Sequence, residues 1–246
     1  MPHRTDPMLL APSPYLPFWH VLTRLGEAQA LLPLAAMAMA GLWACKRQRL
    51  VVRRWVTGFV LVFGLTLLSK VAFMGWELGI ASWDFTGFSG HAVCASAIFP
   101  LLAWLGLQAV RSARLRALGL CVALGLAALI AYSRLPVGAH SVSEALLGFD
   151  LGAAVALFAL WEARPGTDGE TSVRVLRRSA GLSVLMVALL FAAPWIAPPP
   201  RTHQWVTTLS LALSGREHPY TRHEMHRRAA GLVAWAQTSA AATPAH

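Results

Sequence analysis

Residues 55–76 read WVTGFVLVFGLTLLSKVAFMGW, an apolar run broken by a single charge, Lys70. A bilayer core takes about 20 helical residues to cross, so this run is long enough to span one. In lipid every backbone N–H and C=O must find its partner within the segment, which makes the run a helix. A lysine inside such a helix is costly and marks a functional position. Working outward, comparable runs occupy Ala28–Cys45, His91–Val110, Ala117–Tyr132, Ser143–Glu162 and Ala180–Ala197. The pattern predicts an all-α, polytopic membrane helical bundle with about six transmembrane helices. That membrane domain covers residues 28–197, between an outer-face N-terminal segment (1–27) and a basic outer-face tail (198–246).

Composition agrees. Of 246 residues, 56% are hydrophobic and only 13% charged, whereas a soluble domain is about 25% charged. The formal charge of +10 sits in short loops, so it speaks for membrane topology and contact with anionic lipid, and nucleic acid is not an expected partner. Lys46, Arg47, Arg49, Arg53 and Arg54 fall between the first two runs. Arg111, Arg114 and Arg116 follow the third, and Arg164, Arg174, Arg177 and Arg178 follow the fifth. Excess positive charge marks the cytoplasmic side, which puts the N-terminus, the 76–90 and 133–142 loops and the tail outside. Trp19, Trp76, Trp83 and Trp195 fit an outer aromatic belt. Pro17–Gln29 mixes charged and apolar residues and reads as an interfacial segment. The first 28 residues carry three prolines between Leu10 and Trp19 and no clean apolar core, so no secretory signal is read there. Cys45, Cys94 and Cys121 suggest neither a disulfide framework nor a zinc site. Pro198-Pro199-Pro200 stops the last run. In the tail, the spacing of His223 and His226 is not the usual zinc pattern, so these histidines read as surface polarity.

Two polar clusters lie at the outer ends of apolar runs. Ser89-Gly90-His91 opens the third. A helix start offers unpaired N–H groups and a positive dipole end to an anion. Gly90 permits close backbone approach, Ser89 brings a hydroxyl, and His91 can carry a proton near neutral pH. Alone the triplet reads equally as a serine cap beside an interfacial histidine. The second cluster is Ser133-Arg134, then His140 and Glu144. Arg134 presents a planar fork suited to phosphate oxygens. His140 can act as a nucleophile on phosphorus, and Glu144 stands four residues on, where it can fix the imidazole tautomer. Ser141-Val142-Ser143-Glu144 is also a capping box, and the two roles are compatible. For Lys70 the alternatives are a phosphate-binding cation and an ion pair with Asp150 at similar depth. Asp150 itself reads as structural.

These residues, in this order, resemble the type 2 phosphatidic acid phosphatase superfamily, whose pattern is K-x6-R-P, then P-S-G-H, then S-R-x5-H-x3-D. The likeness covers about Leu65–Leu151. It implies a metal-independent mechanism without a cofactor. His140 would attack phosphorus, His91 would protonate the leaving group and then activate water, and Glu144 would support His140. Lys70, Ser89, Gly90 and Arg134 would hold the phosphoryl oxygens. Three positions depart from the pattern: Glu77-Leu78 replaces Arg-Pro, Phe88 replaces the proline, and Glu144 replaces aspartate.

The expected function is a bacterial-type inner-membrane phosphatase, its site facing the periplasm or exterior. The expected substrate is a lipid phosphate or pyrophosphate: phosphatidic acid, phosphatidylglycerophosphate or a prenyl pyrophosphate. A phosphotransferase using the same intermediate is the enzymatic alternative. The missing arginine favours a catalytically weak lipid-binding member. A transporter should line a path through the bilayer, whereas here Lys70, His91, Arg134 and His140 gather at one face. Six spans suit lipid chemistry better than a haloperoxidase.

Overall fold

The computed structural model describes residues 15–164, 181, 184–185, 188–190, 192 and 202–241. Within them the chain folds into a helical bundle: α1 (Leu16–Arg24), α2 (Ala28–Trp43), α3 (Arg49–Trp76), α4 (Gly90–Gly106), α5 (Ala113–Ser133), α6 (Val142–Leu160), α7 (Thr202–Ser214) and α8 (Arg222–Ala241). Four stretches are long and apolar enough to cross a membrane: Leu16–Trp43, Lys46–Trp76, Ala113–Ser133 and Val142–Leu160. Gly90–Gly106 is a shorter apolar helix. The chain is a membrane protein. The expected span at Ala180–Ala197 falls largely outside the described residues, as do Arg174, Arg177, Arg178, Trp195 and Pro198–Pro200.

α4 is the axis of the bundle. Residues Ala92 to Leu101, together with Trp104 and Leu105, are all buried, so this helix is apolar on every side because protein surrounds it. α3 and α5 turn Val60, Leu61, Leu68, Leu118 and Val122 outward, as helices facing lipid do. The α4–α6 crossing depends on small residues. A Cβ at Gly152 would collide with Ser96 Oγ and the Val93 carbonyl, and one at Gly148 would meet the Ser89 carbonyl at 2.9 Å. Such close backbone approach is how membrane helices gain packing where lipid removes the hydrophobic drive between them. Gly152→Ala is therefore expected to lower the thermal midpoint in detergent, through overpacking of about 1–3 kcal/mol. Gly64, whose Cβ would meet nothing within 4 Å, is the control: Gly64→Ala should leave the midpoint unchanged or raise it.

One boundary differs from expectation for a clear physical reason. Arg49, Arg53 and Arg54, assigned to a loop by their charge, are the first turns of α3. Arg49 and Arg53 lie over the Trp43 ring and Arg54 over Phe158. Arg54 also donates to the Trp161 carbonyl at 3.0 Å. Long basic side chains can thus extend a helix into the interface while their heads stay polar.

The basic tail, expected as an outer-face segment, is fixed to the bundle. Ser210 Oγ donates to the Val71 carbonyl at 3.1 Å and Tyr220 N–H to the Met74 carbonyl at 2.9 Å. Phe73, Tyr220 and Met225 form a small buried cluster. α7 and the start of α8 therefore cap the same end of α3 at which α4 and α6 begin.

Candidate active site

The loop after α5 explains the five-residue spacing between Arg134 and His140. The Arg134 carbonyl accepts from the N–H groups of Ala139 at 3.1 Å and His140 at 3.3 Å, closing the segment on itself. Gly138 makes the reversal at φ +68°, a backbone region that glycine enters without strain. His140 is thereby brought back beside Arg134, immediately before α6.

α6 then opens with the expected capping box, Ser141 accepting from Glu144 N–H while the Glu144 carboxylate accepts from Ser141 N–H. The same carboxylate takes His140, whose Nδ1 lies 2.7 Å from Oε2. Its other oxygen, Oε1, accepts from Thr86 N–H at 2.6 Å and from the Thr86 hydroxyl at 2.5 Å. Glu144 is fully buried, so this array of donors is what keeps a carboxylate there. With the carboxylate accepting, the Nδ1 position carries the proton and Nε2 keeps its lone pair.

The start of α4 is fastened alongside. Ser89 N–H donates to the Glu144 carbonyl at 3.1 Å, and Phe88 N–H to Ser69 Oγ at 3.2 Å. Gly87, at φ +140°, lies on the stem of Lys70, where a Cβ would come within 3.0 Å of Lys70 Cγ. Lys70 is half-buried and has no hydrogen-bond partner among the described residues; the alternative pairing with Asp150 is absent, Asp150 being exposed. Arg134, His140 and Lys70 are the ionisable groups near enough to act electrostatically on His91, which groups the four at this end of the bundle. Gly90 has open space where a Cβ would point.

Two buried side-chain polar atoms among the described residues lack any partner, Ser89 Oγ and Arg134 Nε. A buried unsatisfied group costs about 1–3 kcal/mol and calls for an explanation; both belong to residues expected to bind phosphate. Ser89 is not acting as a side-chain cap, which removes the bland alternative for it. Arg134 is aimed by α1: its Nη1 donates to Thr23 Oγ1 at 2.5 Å, and Glu27 faces it electrostatically. Burial lowers the Arg134 pKa to about 10, which leaves it charged at neutral pH.

Burial also pushes the His140 imidazole down to about 4; the bond to Glu144 opposes this, and Lys70 and Arg134 add to it. The imidazole is thus unprotonated at neutral pH. A reaction that uses its free nitrogen should have an acid limb in kcat/KM near pH 4, rising with pH, in place of a limb near the ordinary 6.5. A pH–rate series in detergent measures it.

Sequence reasoning singled out the seven residues of the two clusters and Lys70, and it missed Thr23, Glu27, Asp84, Thr86 and Arg222. Arg222 Nη2 donates to Glu144 Oε2 at 2.8 Å, from 78 residues away. Glu77, which departs from the motif, sits in the left-handed region at the end of α3 and pairs with Arg216 at 2.7 Å and with Arg228. The hydrogen bond from Arg216 holds its carboxyl below the usual range. His226 meets Asp84 Oδ1 at 2.7 Å, and Glu224 Oε2 accepts from Thr221 N–H at 2.7 Å.

A family model described as the PAP2 superfamily matches residues 13–165. The chain is 35% identical over 212 residues to a Klebsiella pneumoniae protein, "Uncharacterized 22.5 kDa protein in cps region", an overlap of 86% of this chain and 99% of that one. No solved structure matches.

Proposed function

Starting from the fact that the chain belongs to the PAP2 superfamily, we propose that it is a membrane-embedded phosphatase acting on a lipid phosphate or pyrophosphate through a phosphohistidine. Superfamily membership supports chemistry of the phosphatase or phosphotransferase type. The observation that carries the finer reading is the His140–Glu144 contact of 2.7 Å, beside the unpaired Ser89 Oγ and Arg134 Nε.

In this mechanism Glu144 holds the proton of His140 on Nδ1, and the Nε2 lone pair attacks phosphorus. The N–P bond forms as the bond from phosphorus to the leaving oxygen breaks, and His91 gives that oxygen a proton. A water then attacks phosphorus while His91 takes its proton back. The N–P bond breaks, and its electron pair returns to His140. Lys70, Arg134, Ser89 Oγ and the N–H groups at the start of α4 hold the phosphoryl oxygens, and fixed donors of this kind supply much of the rate. The Glu77 substitution is accommodated, because its charge is taken up by Arg216 and Arg228.

The site lies at one end of the apolar helices. A lipid can therefore present its headgroup while its tails remain between lipid-facing side chains. The positive-inside pattern supports reading this end as the exterior or periplasmic side of an inner membrane.

The test is phosphate release by the purified protein in detergent with EDTA, against phosphatidic acid, phosphatidylglycerophosphate and a prenyl pyrophosphate. Release that survives EDTA is expected from at least one of them. Added glycerol separates the two outcomes for the intermediate, because a phosphotransferase would yield glycerol phosphate in place of free phosphate. Absence of both products from all three substrates would reject the proposal.

A further inference from the structure

The tail lies outside the residues matched by the family model, 13–165, yet one of its side chains touches the carboxylate that orients His140. We propose that Arg222 is a positioning residue of this site: its guanidinium bridges Asp84 and Glu144, holding the carboxylate and weakening its pull on the His140 proton. This deepens the phosphohistidine reading and rests on it.

The placement is over-determined. Arg222 opens α8, whose start is capped by Thr221 N–H donating to Glu224 Oε2 at 2.7 Å. Met225 packs with Phe73 and Tyr220. Three further contacts clip the tail to the 77–84 loop: Arg216 and Arg228 on Glu77, and His226 on Asp84. Glu77, the acid standing where the family pattern has arginine, is thus the anchor for a segment that brings its own arginines. Within this frame Arg222 Nη1 meets Asp84 Oδ2 and the Asp84 carbonyl, while Nη2 meets Glu144 Oε2 at 2.8 Å and Thr86 Oγ1 at 3.4 Å.

His140 and Arg222 share one oxygen, Glu144 Oε2, at 2.7 and 2.8 Å. Arginine stays charged at any working pH. Its charge on that oxygen offsets part of the attraction Glu144 exerts on an imidazolium, so His140 remains neutral with Nε2 free. The other ionisable groups facing His140 among the described residues are Lys70 from α3, His91 from α4 and Arg134 at the end of α5. Among the described residues Lys70 and Arg134 oppose an imidazolium, Glu144 favours one, and Arg222 restrains it.

The experiment uses the full chain in detergent and the variants Arg222→Gln, Arg222→Lys and Arg228→Gln. Two readouts are taken: the rate at which diethyl pyrocarbonate modifies His140 against pH, followed by peptide mass, and kcat and KM for phosphate release. In Arg222→Gln the modification midpoint should move up by about one pH unit, and kcat should fall about 10- to 100-fold with KM little changed. Arg222→Lys retains the charge and should return the midpoint toward the wild-type value, and Arg228→Gln should match wild type in both. An Arg222→Gln midpoint equal to wild type would mean that Arg222 only tethers the tail, and would overturn the proposal. Modification needs no turnover, so a chain that released no phosphate would count against the phosphohistidine while the titration still decided the role of Arg222.

Discussion

Replacing His140 with alanine is expected to lower phosphate release by on the order of 10,000-fold or more without unfolding the protein. The imidazole is the group whose Nε2 is left free when Nδ1 faces Glu144 at 2.7 Å, and it is the nucleophile of the proposed mechanism. The fold should survive because Glu144 keeps four other donors: Thr86 N–H, Thr86 Oγ, Ser141 N–H and Arg222. The lost hydrogen bond then costs about 1 kcal/mol. The variant leaves an imidazole-sized space beside a carboxylate, so added imidazole should restore part of the activity. Labelled phosphate should remain on the wild-type protein after a base quench and be absent from the variant. Unchanged release in the alanine variant would sink the nucleophile assignment.

Much of this site was legible because its parts are local in sequence. The capping box and the i, i+4 approach of His140 and Glu144 are consequences of one helix start, so five consecutive residues announce them. The x5 spacing is likewise set within one loop, by the Arg134 carbonyl and the turn at Gly138. The apolar runs announced the bundle for the same reason, each being a property of its own segment. What stayed hidden depends on contacts across the chain. Thr86 reaches Glu144 over 58 residues and Arg222 over 78, and neither carries a local signature. The tail illustrates the point: it reads as an outer-face appendage, because the acids that fix it, Glu77 and Asp84, lie more than 130 residues away along the chain. Arg49, Arg53 and Arg54 misled in the opposite sense. Charge suggested a loop, whereas Trp43, Phe158 and the Trp161 carbonyl give these side chains places along a continuing helix.

Glu144→Gln is the substitution expected to separate the carboxylate's charge from its shape, and it should be nearly as damaging as loss of the nucleophile. The side chain is fully buried and every neighbour of its two oxygens is a donor. Oε1 faces the Thr86 backbone N–H and hydroxyl; Oε2 faces Ser141 N–H, Arg222 and His140. A carboxamide must point its NH2 at one of these sets. Turned toward Thr86 it meets a backbone N–H that cannot reverse, and the clash leaves buried donors unpaired at a cost of about 1–3 kcal/mol each. Turned the other way it donates to His140 Nδ1, which moves the imidazole proton to Nε2 and removes the lone pair needed for attack. The second orientation also opposes the Arg222 guanidinium and Ser141 N–H. Either way kcat should fall about 10,000-fold, the scale seen when the carboxylate of a hydrolytic triad is exchanged for its amide, and the thermal midpoint should drop as well. Glu144→Asp keeps every acceptor and withdraws them by one methylene, so its loss should be milder, about 100-fold or less. The pair of variants, measured for kcat and thermal midpoint together, tests whether acceptor chemistry dominates over reach. Activity in the glutamine variant at or above that of the aspartate variant would show that reach matters more, and would remove Glu144 as the group that sets the His140 tautomer.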